Sequence, residues 1–441
     1  MPTDVKRTIE IINEVSPSFC AAKWYNATIW LGNGRTASCH LPPAHTIPLD
    51  SLSNPAALHN TEEKKQRRLE MLTGTRCTEC AYCWTVEDAN DPNVHSDRVY
   101  KTRIYTEDEI LSLTKLDPFA DVNPKTLEIS FDNLCNLNCS YCNAEFSTTW
   151  ATDIKENGPY KGLITPGGGT FQNAGEHANP FGLKNIDNPY VEAFFKWFHS
   201  GLKDSLQELR VTGGEPTRSP WFWKLLDECK DTKFKFAVNS NLIMDQHKLG
   251  QLIDSSKKFQ SFDLYTSCEA YGKHAEFVRS GLDYNLWKSN ALQFAKEGNY
   301  KMIHVMLTVS ALSIWTITQF MSDVLEMRKQ VGGHQFHMSI NILRFPSFQG
   351  LNVLPEHLKL AEANRIENWL STATGLSPFE KNQIERLVTY LREVDRSHED
   401  TDSLDNKIND LVKFTKQYAT RNNKSIDVFP KSFTDWFNEY E

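Results

Sequence analysis

The stretch that most limits what this chain can become is FDNLCNLNCSYCN, residues 131–143, which sets Cys135, Cys139 and Cys142 in a C-x3-C-x2-C spacing. It continues directly from TLEISF at 126–131, an alternating run that predicts a strand leading into the cysteine loop. Three thiolates on one short loop can wrap one face of an iron–sulfur cube and leave the fourth iron without a protein ligand. An open coordination position is where catalytic metals do their chemistry. Three ligands of a zinc site, or a chance grouping, would present the same three cysteines.

A second anchor follows one strand later. VTGGEP, residues 211–216, ends the strand-like run QELRVT at 207–212. Its glycines permit a backbone path close to a ligand, and Glu215 adds an acceptor. GGEP alone is a common turn. Placed after C-x3-C-x2-C, with the aromatic Tyr141 before the last cysteine, it resembles the signature of radical S-adenosylmethionine (SAM) enzymes.

That resemblance implies a [4Fe–4S] cluster on Cys135, Cys139 and Cys142, with the methionine amino group of SAM at Gly213, Gly214 and Glu215. It also implies that Ser267 and Arg279 hold the SAM carboxylate or ribose, and that Asn239 and Asn241 reach the ribose. Read without it, Arg279 is equally a helix-surface charge and VNSN, at 238–241, equally a plain turn. The implied reaction is one-electron cleavage of the sulfonium's C5′–S bond, giving a 5′-deoxyadenosyl radical that takes hydrogen from a substrate. An electron donor such as flavodoxin or ferredoxin would supply the electron. Cys229 and Cys268, which follow the motif, read as buried structural thiols.

The N-terminal part carries five more cysteines. Residues 19–40 read as a β-hairpin about an Asn33-Gly34 turn, with Cys20 and Cys39 near its open ends. A helix near 60–72 follows, then Cys77, Cys80 and Cys83 in TRCTECAYCWTVED. A zinc ribbon would use the same hairpin and C-x2-C logic. The hairpin, the helix with Arg67 and Arg68, and CAYCWTVED resemble the auxiliary-cluster "twitch" (SPASM-like) module of some radical SAM enzymes, here standing before the core. The resemblance implies a second [4Fe–4S] cluster on Cys20, Cys39, Cys80 and Cys83, and Cys77 departs from its pattern. His40 and His45 read as hydrogen-bonded loop histidines. KKQRR, at 64–68, reads as a solvated helix face.

Six strand-like runs separated by helix-length segments predict an α/β fold with parallel strands. They are 126–131, 207–212, 233–238, 262–267, 302–309 and 336–343. The resemblance implies a partial (β/α)6 barrel, preceded by the small hairpin/helix domain and followed by C-terminal helices. The expected division is 1–115, 122–350 and 351–441. The long excursion 143–188, with PGGGT at 166–170, reads as a flexible cover, since it lacks the lysine of a phosphate-binding loop. Helices are expected at 357–372, 378–394 and 404–420, a solvated link at 397–403, and a docked aromatic tail.

A net charge of −8 supplies no basic field for nucleic acid. No apolar run approaches the ~20 residues of a membrane span, and no signal core opens the chain, so a cytoplasmic protein is expected. The function expected is a radical SAM enzyme acting on a peptide or small-molecule substrate. The alternative is a zinc or iron–sulfur binding protein without catalysis.

Overall fold

The computed structural model describes residues 4–91, 94–182, 187–229, 232–333, 335–393 and 402–440. It divides into two compact units. The first is Met1–Asp132, Asn179–Thr212 and Thr232–Phe236; the second is Asn133–Ala178, Gly213–Asp231 and Ala237–Glu441. Strands occur in chain order at Asn26–Trp30 (β1), Arg35–Ala37 (β2), His45–Thr46 (β3), Thr126–Ser130 (β4), Asn138–Cys139 (β5), Glu208–Thr212 (β6), Lys235–Ser240 (β7), Phe262–Ser267 (β8), Arg279–Ser280 (β9), Met302–Val309 (β10) and Phe336–Ile342 (β11).

In the first unit the strand order is β6-β4-β1-β2-β3. The expected hairpin is β1 and β2, turning through Gly34 at φ +65°, a backbone angle that favours glycine. β1 then pairs in parallel with β4, and β4 in parallel with β6. Before β1 the chain is helical at Ala22–Tyr25, so Cys20 precedes a short helix. The predicted helix is Glu62–Leu72, capped by the Thr61 hydroxyl.

That helix presents only the middle of KKQRR to water: Gln66 is exposed and Lys65 and Arg67 are half-buried. Lys64 and Arg68 are buried, at 2% and 0% exposure. Lys64 Nζ donates to Thr36 Oγ1 at 2.7 Å and the Ala37 carbonyl at 3.1 Å. Arg68 donates to the Lys23 carbonyl and Asn60 Oδ1, and its guanidinium lies 5.9 Å over the Trp24 ring. Lys64 and Arg68 share a face because they stand four apart, and that face meets carbonyls and hydroxyls that need donors.

In the second unit β7, β8, β10 and β11 follow one another. β8 is parallel to β10, and β10 to β11. The helices Gln246–Ser256, Tyr284–Glu297 and Ile317–Gln330 alternate with these strands, as parallel connection requires. All six predicted strands are present, within a mixed α/β architecture of parallel strands and many helices.

The excursion after the cysteine loop is packed down, contrary to the expected flexible cover. It opens with the helix Thr148–Asn157, whose Trp150 is fully buried with Tyr160 and Phe171. Phe171 meets Phe414 at 4.7 Å between ring centroids. Phe414 belongs to the C-terminal helix Leu404–Arg421. The Asp410 carboxylate of the same helix accepts from the Ile164 and Thr165 amides, each at 2.8 Å. PGGGT is therefore a packing device. A Cβ on Gly168 would stand 2.6 Å from Leu163 Cβ and 2.9 Å from Asp410 Oδ2. Residues 183–186 of the excursion and 397–401 of the expected link lie outside the described residues.

The other C-terminal helices are Glu356–Thr372 and Pro378–Arg392. The tail helix Lys431–Asn438 docks, burying Phe433, Trp436 and Phe437. Among the described residues no helix is long and apolar enough to cross a membrane.

Candidate functional site

The loop that follows β4 is held by side chains reaching back to its backbone. Thr148 Oγ1, at the start of the Thr148–Asn157 helix, accepts the Cys135 amide at 3.1 Å, and Thr149 Oγ1 donates to the Cys135 carbonyl at 2.6 Å. Ser147 Oγ donates to the Leu137 carbonyl at 2.9 Å and Trp150 Nε1 to the Cys139 carbonyl at 3.0 Å. β5, containing Cys139, pairs antiparallel with β9, so that Cys139 faces Arg279. One continuous sequence thus folds its first helical turn under its own cysteines.

None of the ten cysteines is in a disulfide. Burial pushes the Cys139 thiol up to about 12 against the pull of the Arg279 guanidinium. Burial, then the nearby Cys139 and Cys135, push Cys142 higher still. Ligation by a cation would release these protons. Ser140, between Cys139 and Cys142, is fully buried and its hydroxyl has no partner among the described residues, which leaves a donor for a sulfur-rich group.

The GGEP turn comes against this loop. Gly213 has φ +139°. A Cβ on Gly214 would stand 2.5 Å from the carbonyl oxygens of Asn133 and Leu134, so only glycine allows the approach. The Glu215 amide then donates to the Leu134 carbonyl at 2.6 Å. The Glu215 side chain, 1% exposed, is fully engaged by protein. Its Oε1 accepts from the Thr217 amide, the Thr217 hydroxyl and the Ser240 hydroxyl, at 3.1, 2.7 and 2.8 Å. Its Oε2 accepts the Asn241 amide.

The remaining sequence candidates fall in the same unit. Asn239, near the end of β7, has a buried Oδ1 with no partner among the described residues, an acceptor left for a hydroxyl donor. Asn241 is committed to Asn136 Oδ1 through Nδ2 and to the Ile243 amide through Oδ1. Ser267 ends β8 opposite Met306. Arg279 is a buried residue, not a helix-surface charge, and it faces Glu269, Cys139 and Tyr141. Cys268 is buried, its thiol 3.6 Å from the Ala270 carbonyl, and Cys229 is buried at the end of Pro220–Glu228.

In the first unit, Cys20, Cys39, Cys80 and Cys83 line one cavity of about 360 Å³, counting its solvent-open space. Ala22, Lys23, Ser38, Asp97, Arg98 and Lys101 share its walls. The three cations would offset the negative charge of four thiolates. The Ser38 hydroxyl, buried and without a partner among the described residues, is available to a sulfur. Burial raises the thiols of Cys20 and Cys83 to about 11 and of Cys80 to about 12. Cys77 stands outside this lining, its thiol directed to the Arg67 carbonyl at 3.7 Å. Among the described residues no three His, Cys, Asp or Glu side chains close around a point suited to a single ion. His45 bonds to the Thr61 hydroxyl at 2.8 Å.

Sequence reasoning missed Glu269, Ser140, Ser38 and Lys23. None belongs to a spacing pattern, and each is recognised only by what it is buried against.

No family model and no curated protein matches this sequence. Similar solved structures include SuiB of Streptococcus suis, at 14% identity and TM-score 0.37, covering 70% of this chain and 59% of that one. SuiB bound to S-adenosylmethionine aligns at 13% identity and TM-score 0.37, covering 78% and 68%. TYW1 with a lysine–pyruvate adduct aligns at 16% and TM-score 0.28, covering 55% and 71%. The alignment thus spans 59% of the first of these chains.

Proposed function

We propose that this chain is a radical SAM enzyme. The observation that carries the reading is the seating of Gly214 and Glu215 against the cysteine loop, through the 2.6 Å bond from the Glu215 amide to the carbonyl of Leu134, the neighbour of Cys135. The two motifs lie 76 residues apart in sequence by the separation of Cys139 and Glu215 (215 − 139). A binding module has no need to join them.

In this reading Cys135, Cys139 and Cys142 would hold a [4Fe–4S] cluster, and the unpartnered Ser140 hydroxyl suits such a sulfur-rich neighbour. When bound, the cluster would supply one electron for reductive cleavage of SAM to methionine and a 5′-deoxyadenosyl radical. Gly213 and Gly214 give the backbone its close path, and Glu215 holds the Ser240 hydroxyl and the Asn241 amide at the end of β7. Asn239 would offer its open acceptor to the ribose, and Ser267, at the end of β8, would be a further SAM contact by its resemblance to the family pattern. Cys20, Cys39, Cys80 and Cys83 would hold an auxiliary [4Fe–4S] cluster, which the shared cavity and the Ser38 hydroxyl support. The substrate is a small molecule or peptide, and the reductant a one-electron carrier of the flavodoxin or ferredoxin type.

The test is product formation. The chain, reconstituted anaerobically with iron and sulfide and reduced with dithionite, converts SAM to 5′-deoxyadenosine, and Cys139→Ala does not. Reconstituted protein with full iron and no 5′-deoxyadenosine would overturn the proposal.

A further inference from the structure

Arg279 is 6% exposed and Glu269 1%, and every nitrogen of the guanidinium has a partner. Nε donates to both Glu269 carboxylate oxygens, at 3.0 and 2.9 Å. Nη2 donates to the Tyr141 hydroxyl, and Nη1 to Cys139 Sγ at 3.5 Å. The backbone fixes this arrangement as well, because Arg279 sits directly opposite Cys139 in the β5–β9 ladder. The guanidinium carbon lies 5.6 Å from the Tyr141 ring centroid. Turning Arg279 toward a ligand's carboxylate would strip Glu269 of its buried counter-charge, a costly exchange.

We infer that Arg279 is a positioning residue for the sulfur of Cys139, and that the Arg279–Glu269 pair sets the reduction potential of the cluster. This rests on the proposed function, since it presumes a cluster on Cys135, Cys139 and Cys142. Hydrogen bonds to the ligand sulfurs and local charge are what tune such potentials. An N–H donor and a cation beside Cys139 favour the state with more negative charge on sulfur, so Arg279 raises the potential. The Glu269 carboxylate, buried behind it, offsets part of that charge and lowers it.

The experiment is a redox titration of the reconstituted full-length chain, read by electron paramagnetic resonance. The relevant signal is the one lost in the C135A/C139A/C142A protein. Arg279→Lys keeps a cation for Glu269 but lacks the fork that reaches both partners, and its midpoint shifts down. Glu269→Gln removes the offsetting charge, and its midpoint shifts up. Opposed shifts are not what a merely structural role produces. Midpoints equal to wild type, or shifts of the same sign, would overturn the inference. If Arg279→Lys fails to hold iron, Glu269→Gln decides alone: an upward shift supports the inference, and no shift or a downward one overturns it. A wild-type chain with no signal from those cysteines would instead defeat the proposed function.

Discussion

The buried Glu215 carboxylate accepts the backbone N–H of Asn241 at 2.6 Å. Three further donors point at its other oxygen. Glu215→Gln keeps the shape but sets an NH2 group against a donor. The expected cost is about 1–3 kcal/mol, the penalty of one unmet buried donor. Urea unfolding of the unreconstituted protein measures it, and a change within ~0.5 kcal/mol, as at an ordinary surface site, would count against this role.

The cavity of the first unit separates its cysteines by role. Reconstituted wild type should carry roughly eight irons per chain, as two four-iron clusters. Cys77→Ala keeps that content, because its thiol meets the Arg67 carbonyl and Cys77 is not among the residues lining the cavity. Cys83→Ala loses roughly half of it. Iron analysis of the two variants decides, and iron loss in Cys77→Ala with retention in Cys83→Ala would contradict the ligand set.

Tyr418 ties the helix Leu404–Arg421 to the β5–β9 pair. Its hydroxyl donates to the Asn138 carbonyl and accepts the Ser280 amide at 3.2 Å. Tyr418→Phe leaves those buried groups unmet, at an expected cost of about 1–3 kcal/mol. Amide hydrogen exchange should speed at Ser280. Exchange at the wild-type rate would mean that the β5–β9 ladder holds without this clamp.

His274 gives stability a pH dependence. Its Nε2 donates to the Leu312 carbonyl at 2.6 Å, and its Nδ1 accepts from Thr316 Oγ1 at 3.1 Å. Burial depresses its pKa from 6.5 to about 4. Between those values the unfolded chain holds a proton that the folded chain does not. Stability contributed by the neutral ring is complete above 6.5 and is lost as pH falls toward about 4, by at most ~1.4 kcal/mol per pH unit. His274→Gln should flatten that slope in denaturation curves between pH 7 and 5, and equal slopes would refute the assignment.

Much of this architecture is readable from local pattern. Period-two runs mark β6 and β10, which bury alternate residues, whereas β7 and β8 are buried over consecutive residues and read as strands from their apolar runs. Asn33-Gly34 marks the hairpin, and the cysteine spacings mark both thiol groups. What pattern cannot supply is the partner across space. Lys64 and Arg68 look like a solvated stripe until the carbonyls of Ala37 and Lys23 are set beside them. Arg279 looks like a surface charge, and Glu269 like nothing in particular. Only folding makes them a buried pair. PGGGT likewise acquires its reason from Asp410, which lies more than two hundred residues further along the chain.

In the proposed enzyme the Cys135–Cys142 loop carries a SAM-binding cluster distinct from the one on Cys20, Cys39, Cys80 and Cys83. Electron paramagnetic resonance of the reduced C20A/C39A/C80A/C83A protein, with and without SAM, tests it most directly. A remaining four-iron signal that changes shape on addition of SAM is the expected result. A signal indifferent to SAM, or none at all in a folded protein, would contradict it.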